Sequence, residues 1–258
     1  MPDTTIPAAT ILIVRDSTRG LEVFMVKRHH QIDFVAGAFV FPGGKVTVAD
    51  GHDKLREYAD GIDAIDISLH GLMAAAIREA FEESGILFAR PRGETELVSG
   101  ARLNELASYR QRLETQEISL LEMLQQEELR LACDRLVHFA HWITPKNMPK
   151  RFDTHFFIAE TPVGQIGTHD GRESIDSLWI TPHEAIVDRK RWNVIFPTKL
   201  NLMKLAKSRN VAAALNAARG SRPLTVTPWV EETPEGPVLR IRDDAGYDQT
   251  QALLKEAF

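Results

Sequence analysis

The strongest constraint on the fold of this 258-residue chain is a charged segment at residues 78–86, Arg-Glu-Ala-Phe-Glu-Glu-Ser-Gly-Ile. On a helix, the carboxylates of Glu79, Glu82 and Glu83 fall within an arc of roughly 100°. Like charges at this spacing repel by roughly 0.2–0.5 kcal/mol per pair. Such a set of oxygen ligands favours Mg²⁺ or Mn²⁺ in a water-accessible cleft. The alternative is a solvated helix face on which Arg78 forms a surface ion pair.

Together with Phe41-Pro42-Gly43-Gly44 upstream, this segment resembles the Nudix box. The family pattern is Gly, five residues, Glu, seven residues, then Arg-Glu-(apolar)-x-Glu-Glu-x-Gly-(apolar). The second half fits at every specified position of residues 78–86. The first half differs, because 33 residues separate Gly44 from Arg78 and about 20 are inserted. The acidic place falls on Asp50 when counted forward from Gly44 and on His70 when counted back from Arg78, which leaves its identity open.

A long insertion inside the box is typical of a Nudix subset that includes the peroxisomal coenzyme A diphosphatases of animals. The chain resembles this subset in two further segments, since Arg28 precedes Phe-Val-Ala-Gly-Ala-Phe-Val-Phe-Pro-Gly-Gly at 34–44 and Arg-Phe-Asp-Thr-His-Phe-Phe occupies 151–157. Asp33 stands where the coenzyme A signature of other Nudix diphosphatases has an arginine. The resemblance covers most of residues 8–200.

The resemblance implies a metal-dependent hydrolase that cleaves a phosphoanhydride in a nucleoside diphosphate linked to another group. Its cofactor would be Mg²⁺ or Mn²⁺. Coenzyme A or acyl-coenzyme A is the favoured substrate, and ADP-ribose, NADH or another dinucleotide is the alternative. A third reading is a non-catalytic regulator that binds a ligand through the same fold; the intact glutamates argue against it.

The resemblance also assigns roles to individual residues. Arg78 would orient the glutamates, and a distal acid, Glu173 in preference to Asp170, would act as the general base. Metal ligands would come from Gly44, Glu79, Glu82 and Glu83. Substrate contacts are expected from Arg28, Phe41, Gly43, Gly44 and Arg151. The alternative for the arginines is a structural role, and the alternative for Gly43 and Gly44 is a plain tight turn. Further candidates for substrate contacts have a core or surface role as their alternative, namely His29, His30, Phe34, Phe39 and Trp142.

The composition limits the classes of partner. A net charge of −5 without a basic stripe argues against nucleic-acid binding. No apolar run reaches the roughly 20 residues that cross a bilayer, and Met1-Pro2-Asp3-Thr4-Thr5 does not begin a signal peptide. Cys133 is the only cysteine, which excludes an internal disulfide and suggests a small core residue in a helical stretch. Because Lys255-Glu256-Ala257-Phe258 is not a peroxisomal signal, a cytoplasmic protein is expected, with a small-molecule diphosphate as partner and homodimerisation left open.

Hydrophobic patterning predicts the order of the elements. Residues 8–14 and 21–27 are predicted to form a hairpin of buried strands. Ser68 is expected to cap a helix that runs to about Ser84 and turns its carboxylates outward, and Gly85 suits a left-handed cap at its end. The other predicted elements are strands at 38–41, 137–142, 152–159, 176–180, 223–230 and 237–242, a loop at 45–67, two helices within 101–135, a helix that Thr181 caps at Pro182, and one long helix at 197–218.

These elements predict an α+β fold, an α/β/α sandwich with a mixed β-sheet between helices, which is also the Nudix fold that the resemblance implies. With 43% apolar residues, the chain suffices for one full-sized core. We therefore expect a single domain over 1–258, with a helical insertion at about 95–135 and a C-terminal extension at about 220–258.

Overall fold

The computed structural model describes residues 4–29, 37–188 and 191–256. The predicted N-terminal hairpin lies inside its largest β-sheet. Strand β1 (Ile6–Ser17) pairs antiparallel with β2 (Gly20–Arg28). Both strands are rich in the β-branched and aromatic residues that suit a buried sheet. The further strands are β3 (Phe39–Val40), β4 (Gly43–Lys45), β5 (Ala59–Asp60), β6 (Ala89–Pro91), β7 (Leu129–Ala132), β8 (Val137–Ile143), β9 (Phe152–Glu160), β10 (Ser174–Ile180), β11 (Thr225–Val226), β12 (Trp229–Thr233), β13 (Gly236–Arg240) and β14 (Gln251–Leu253).

These strands form one mixed sheet and two small sheets. The mixed sheet has the order β10-β2-β1-β9-β8-β11, with β3 added to β2 and β4 added to β1. Strand β9 runs parallel to β1 and β11 runs parallel to β8, whereas the other pairs in this sheet are antiparallel. The small sheets have the orders β5-β7-β6 and β12-β13-β14. The mixed sheet predicted from the sequence is therefore confirmed.

Helices cover both faces of the mixed sheet. The first helix and the helices of the insertion share one hydrophobic core with it, and the helices after β10 share the other. None of the described helices combines the length and the apolar character needed to cross a membrane. The helices are α1 (His70–Ser84), α2 (Gly100–Glu105), α3 (Ala107–Glu114), α4 (Leu120–Gln126), α5 (Pro182–Val187), α6 (Phe196–Leu205) and α7 (Val211–Arg219).

Side chains alternate along β1 between the two cores, as the pleat of a strand requires. Ile11 and Ile13 point into the core that α1 closes, where Phe81 is also buried. Leu12 and Val14 point into the opposite core, which α6 and α7 close. Full burial of each such side chain contributes about 1.5–3 kcal/mol. A sheet between two helical layers confirms the predicted α+β sandwich.

The prediction of one long helix at 197–218 is wrong, because the structure has two helices there. Helix α6 ends at Leu205 and α7 begins at Val211. Asn210 takes an extended conformation, and its side chain accepts a hydrogen bond from the Ala213 amide at 2.9 Å. Asparagine at this position starts a new helix instead of continuing the old one.

The region 101–135 also divides differently from the prediction, into three helices and strand β7. Gln116 adopts a left-handed backbone conformation with φ of 56°, which ends the helical run after α3. Ser119 then starts α4 with a capping box. Cys133 is buried as expected, although it lies in a 3₁₀ turn, Cys133–Arg135, that follows β7.

The start of α1 differs from the prediction and its end agrees. A 3₁₀ turn at Ile67–Leu69 runs into the helix, so Ser68 is not its cap. Asp66 caps that turn instead, accepting hydrogen bonds from the Ser68 amide at 2.9 Å and hydroxyl at 2.8 Å. At the other end Gly85 has φ of 70°, and the predicted left-handed cap is confirmed.

The C-terminal residues join the rest of the fold through β11 and a buried chain of hydrogen bonds. The Trp142 indole donates to the Tyr247 hydroxyl at 2.9 Å, and this hydroxyl donates to Asn201 Oδ1 at 2.7 Å. Buried polar groups with partners of this kind hold segments in one arrangement, because breaking a bond leaves a costly unpaired group. Residues beyond 220 therefore pack against β8 and α6.

Candidate active site

Helix α1 carries the three glutamates singled out in the sequence, and the structure buries all of them. Glu79, Glu82 and Glu83 are 8%, 7% and 4% exposed. The expectation that α1 turns its carboxylates outward is wrong, because β4 pairs with β1 and lies against the helix. The Gly43 amide donates to Glu83 Oε2 at 3.0 Å. A Cβ added to Gly44 would lie 2.4 Å from Glu79 Oε1, so the backbone passes directly beside that carboxylate.

Arg78 lies among the acids and donates to four different groups. Its Nε and Nη2 donate to the two carboxylate oxygens of Asp50 at 2.9 and 3.0 Å. Its Nη1 donates to Glu79 Oε1 at 2.8 Å and to Glu82 Oε2 at 2.9 Å, and Nη2 also donates to the Lys45 carbonyl at 2.9 Å. The rigid fork of a guanidinium suits several acceptors at fixed angles. This geometry holds two of the glutamates in place.

Asp50 occupies the acidic place of the first half of the motif, which the sequence left open between Asp50 and His70. It is buried, and besides the Arg78 pair it accepts hydrogen bonds from the Thr47 amide at 2.7 Å and hydroxyl at 2.9 Å. His70 instead donates to the Ile65 carbonyl at 3.0 Å. The inserted residues therefore follow Asp50 in the chain.

Burial raises the pKa of the glutamates in the cluster. The pKa of Glu79 rises to about 7 and that of Glu82 to about 8, against the opposing charge of Arg78. Burial and the charge of Glu79 raise the pKa of Glu83 well above its ordinary value, although the Gly43 amide opposes this shift. The charges of Arg78, and of Arg28 at Glu83, oppose these pKa shifts without cancelling them, so the cluster can accept further positive charge.

The glutamates line a cavity of about 760 Å³. Pockets for cofactor-sized ligands measure about 300–1,000 Å³, so a molecule of that size can enter. Near the acids the lining also includes Lys45, which adds a positive charge. Many of the other lining residues are apolar, namely Trp142, Ile143, Pro145, Met148, Phe152, Phe156, Ile195, Pro197, Pro228 and Leu239.

Most of the predicted site residues meet at this cavity. Its lining includes Arg28, Phe41, Gly43, Gly44 and Glu173, together with Arg78 and the three glutamates. Arg28 Nε is buried and has no hydrogen-bond partner among the described residues. A buried N–H without an acceptor is costly, so this guanidinium offers a donor to a ligand in the cavity.

Some predicted contacts are not brought to the cavity. Arg151 is buried, its Nε donates to the Thr144 carbonyl at 3.2 Å, and it is absent from the lining residues in the described part of the chain. Its contact with substrate stays a prediction. Phe39 packs edge to face on Trp192 in the core, with ring centroids 5.1 Å apart. His29 and Trp142 line the cavity, whereas His30 and Phe34 lie outside the described residues.

The two candidate bases have different surroundings. Asp170 accepts hydrogen bonds from the amides of Arg172, Glu173 and Ser174 at 3.2, 3.1 and 2.9 Å, which stabilises its own loop. Glu173 is exposed and lines the cavity, and its charge adds to burial in raising the pKa of Glu79. Asp170 lines the same cavity, and the preference for Glu173 as the general base stays a prediction.

Comparisons with known proteins show the family of the chain. The family model of the NUDT19 Nudix domain matches residues 66–201, which is more than half of the chain. The chain belongs to this Nudix family. The resemblance to the Nudix family seen in the sequence is thereby confirmed.

Relatives and a solved structure support the Nudix assignment. The chain is 25% identical over 222 residues to the acyl-coenzyme A diphosphatase NUDT19 of Xenopus laevis, covering 71% of this chain and 58% of that protein. It is 26% identical over 208 residues to the protein of the same name from Gallus gallus, covering 64% and 55%. The chain thus spans little more than half the length of these relatives. A crystal structure of a NUDIX hydrolase from Alicyclobacillus acidocaldarius matches with a TM-score of 0.72 and 25% identity, over 83% of this chain and 96% of that chain.

The cluster has the donors that a divalent metal ion in a Nudix hydrolase requires. Glu82 Oε1 is buried and lacks a hydrogen-bond partner among the described residues. A buried carboxylate oxygen without a hydrogen-bond partner is costly, and a cation would satisfy it. The other donors are carboxylate and backbone oxygens, which suit hard cations such as Mg²⁺ and Mn²⁺. The chemistry of these ligands suits a divalent cation, and its identity as Mg²⁺ or Mn²⁺ stays a prediction.

Arg110, on α3 of the insertion, contacts the helix that carries the glutamates and was not predicted. Its Nε and Nη2 donate to the Glu82 carbonyl at 3.3 and 3.1 Å, and Nη2 also donates to the Thr168 carbonyl at 3.0 Å. It thereby connects the last turn of α1, where carbonyls lack helical partners, to the segment before β10. Helical periodicity alone does not indicate which inserted residue reaches α1.

Gly44→Ala is expected to lower kcat/KM by about 100-fold, since misplacing a catalytic group by about 1 Å has that effect. The new Cβ would lie 2.4 Å from Glu79 Oε1, so the carboxylate must move. Gly51→Ala is the matched control, because a Cβ there would have no atom within 4 Å. Steady-state kinetics of the two variants check the prediction. Equal activities would show that the close approach at Gly44 is unimportant.

Proposed function

We propose that this chain is a metal-dependent diphosphatase that hydrolyses coenzyme A or acyl-coenzyme A. The products would be phosphopantetheine, or its acyl form, and an adenosine bisphosphate. The observation that carries the proposal is one cavity that joins the buried carboxylate cluster to a largely apolar lining. The substrate has two matching parts, a charged diphosphate and a pantetheine or acyl arm. The printed names of the Xenopus laevis and Gallus gallus relatives support the same substrate class.

The cofactor of the proposed reaction is Mg²⁺ or Mn²⁺. Its ligands would be the carboxylates of Glu79, Glu82 and Glu83 and the Gly44 carbonyl. When bound there, the ion supplies Lewis acidity and lowers the pKa of a coordinated water. Arg78 would keep Glu79 and Glu82 in position through the hydrogen bonds at 2.8 and 2.9 Å.

The remaining cavity residues would bind the substrate and move the proton. Arg28 would donate to diphosphate oxygens through its guanidinium, which matches phosphate geometry. Phe41 and Gly43 would line the path of the diphosphate, and Arg151 would make a further contact with the substrate. Glu173 would accept a proton from the water that attacks phosphorus, while the bond from phosphorus to the leaving phosphate oxygen breaks.

A panel of diphosphates tests the proposal. Coenzyme A, an acyl-coenzyme A, ADP-ribose and NADH are incubated with the full chain and Mg²⁺ or Mn²⁺, and products are identified by mass spectrometry. Release of phosphopantetheine from the coenzyme A substrates is the expected result, and chelation of the metal should abolish it. AMP from ADP-ribose as the main product would indicate a dinucleotide hydrolase. Absence of turnover on every compound would indicate a ligand-binding regulator instead.

A further inference from the structure

Strands β8 and β9 carry a second set of ligand-type side chains, separate from the glutamates. His141 on β8 lies directly opposite His155 on β9, and Asp153 is two residues before His155 on the same strand face. The neighbouring residues Trp142 and Thr154, which alternate with them, line the cavity. The histidines and Asp153 therefore lie on the other face of the sheet. The His141 and His155 rings stack with centroids 3.9 Å apart.

The Nδ1 atoms of both rings are held by partners behind them. Nδ1 of His141 lies 2.8 Å from the Thr225 hydroxyl, and Nδ1 of His155 lies 3.1 Å from Nε2 of His138. The Nε2 atoms then face the same carboxylate, at 2.5 Å from Asp153 Oδ1 for His141 and 3.8 Å for His155. Metal-binding histidines are typically oriented in this way, with one nitrogen on a neighbouring group and the other toward the ion.

We infer that His141, Asp153 and His155 form a site for a divalent transition-metal ion of the Zn²⁺ class, which would join β8 to β9. Each of these three side chains offers one ligand atom, and the three atoms lie within 4.8 Å of one another. Ligand atoms around one Zn²⁺ lie roughly 3.3 Å apart, given bonds of about 2.0–2.2 Å. Binding an ion would require the His141 Nε2–Asp153 Oδ1 distance to lengthen from 2.5 Å and the His155 Nε2–Asp153 Oδ1 distance to shorten from 3.8 Å.

The donor set separates this site from the glutamate cluster. Two imidazoles and one carboxylate prefer Zn²⁺ and related ions, whereas all-oxygen ligands suit Mg²⁺ and Mn²⁺. The side chains of His141, Asp153 and His155 are 16%, 33% and 16% exposed, so an ion can reach them from solvent. Thr225, which contacts His141 Nδ1, belongs to strand β11. An ion bound by His141 would therefore also fix the side chain that contacts this strand.

Zinc titration of the chelator-treated full chain, in excess Mg²⁺, tests the inference. We expect one Zn²⁺ per chain by metal analysis and calorimetry, and a higher Tm with Zn²⁺, because an ion that binds the folded state stabilises it. Asp153→Asn, which keeps the shape of the side chain, and His155→Ala should each weaken Zn²⁺ binding by at least about tenfold. His183→Asn is the matched control, since His183 is exposed on α5, and it should bind Zn²⁺ as the wild type does.

Three results would overturn the inference. The first is a wild-type protein that takes up no Zn²⁺ in excess Mg²⁺, in which case His141 only donates a hydrogen bond to Asp153. The second is Asp153→Asn protein that binds Zn²⁺ as tightly as the wild type, with circular dichroism confirming that it is folded. The third is loss of the Zn²⁺ in Glu83→Gln with its retention in Asp153→Asn, which would assign the ion to the glutamate cluster.

Discussion

Replacing Glu83 by glutamine is expected to lower kcat by about 100-fold or more while the protein stays folded, which is the effect of losing one electrostatic stabiliser. Glutamine retains an oxygen that can accept the hydrogen bond of the Gly43 amide, which lies 3.0 Å from Glu83 Oε2. The shape of the site therefore persists. What is lost is one negative charge among the carboxylates proposed to hold the cation.

The measurement is steady-state turnover of the best substrate from the panel, at several Mg²⁺ concentrations. Glu117→Gln is the matched control, because Glu117 is an exposed acid that pairs with Arg112 at 2.8 Å on the surface. A surface pair contributes about 0–1 kcal/mol, so this variant should fold and turn over as the wild type does. Unchanged turnover in Glu83→Gln would contradict the assignment of the glutamates as the metal site.

The position of the glutamates could be predicted from their spacing, but their burial could not. The offsets of Glu79, Glu82 and Glu83 on a helix place three carboxylates together, whatever the rest of the chain does. Their enclosure depends on β4, which pairs with β1 through the register of Ala9 with Gly44. That contact joins distant parts of the sequence, and no local pattern indicates it.

The insertion inside the motif shows a second limit of local patterns. A Cβ on Gly71 would lie 3.4 Å from Gly51 Cα, so the chain leaves after Asp50 and returns at the start of α1. The loop between these glycines packs elsewhere, since β5 pairs with β7 of the helical insertion. Closing a loop of this length costs only slightly more than closing a short one, so the site can retain its geometry. Spacing alone therefore could not choose between Asp50 and His70, whereas the structure does.

Removing the Arg78 guanidinium should destabilise the fold more than any other single change at the site. We expect Arg78→Leu to lower the free energy of unfolding by about 3–5 kcal/mol in metal-free buffer, which is typical of a buried ion pair that loses one partner. The Asp50 side chain is 1% exposed and would lose the guanidinium that it contacts at 2.9 Å. Glu79 and Glu82 would lose their hydrogen bonds to Nη1, at 2.8 and 2.9 Å, in the same variant.

Urea unfolding in chelator and in Mg²⁺ measures this effect. Arg56→Leu is the matched control, because Arg56 pairs with Asp63 at 2.6 Å on the exposed surface and should cost about 1 kcal/mol or less. Adding Asp50→Asn to Arg78→Leu should recover part of the lost stability, since a neutral amide replaces the buried carboxylate that has lost its partner. Mg²⁺ should reduce the loss as well, because a cation among the glutamates replaces part of the missing positive charge. A loss of about 1 kcal/mol or less in Arg78→Leu would mean that the guanidinium does not balance these carboxylates, and that another group holds the cluster together.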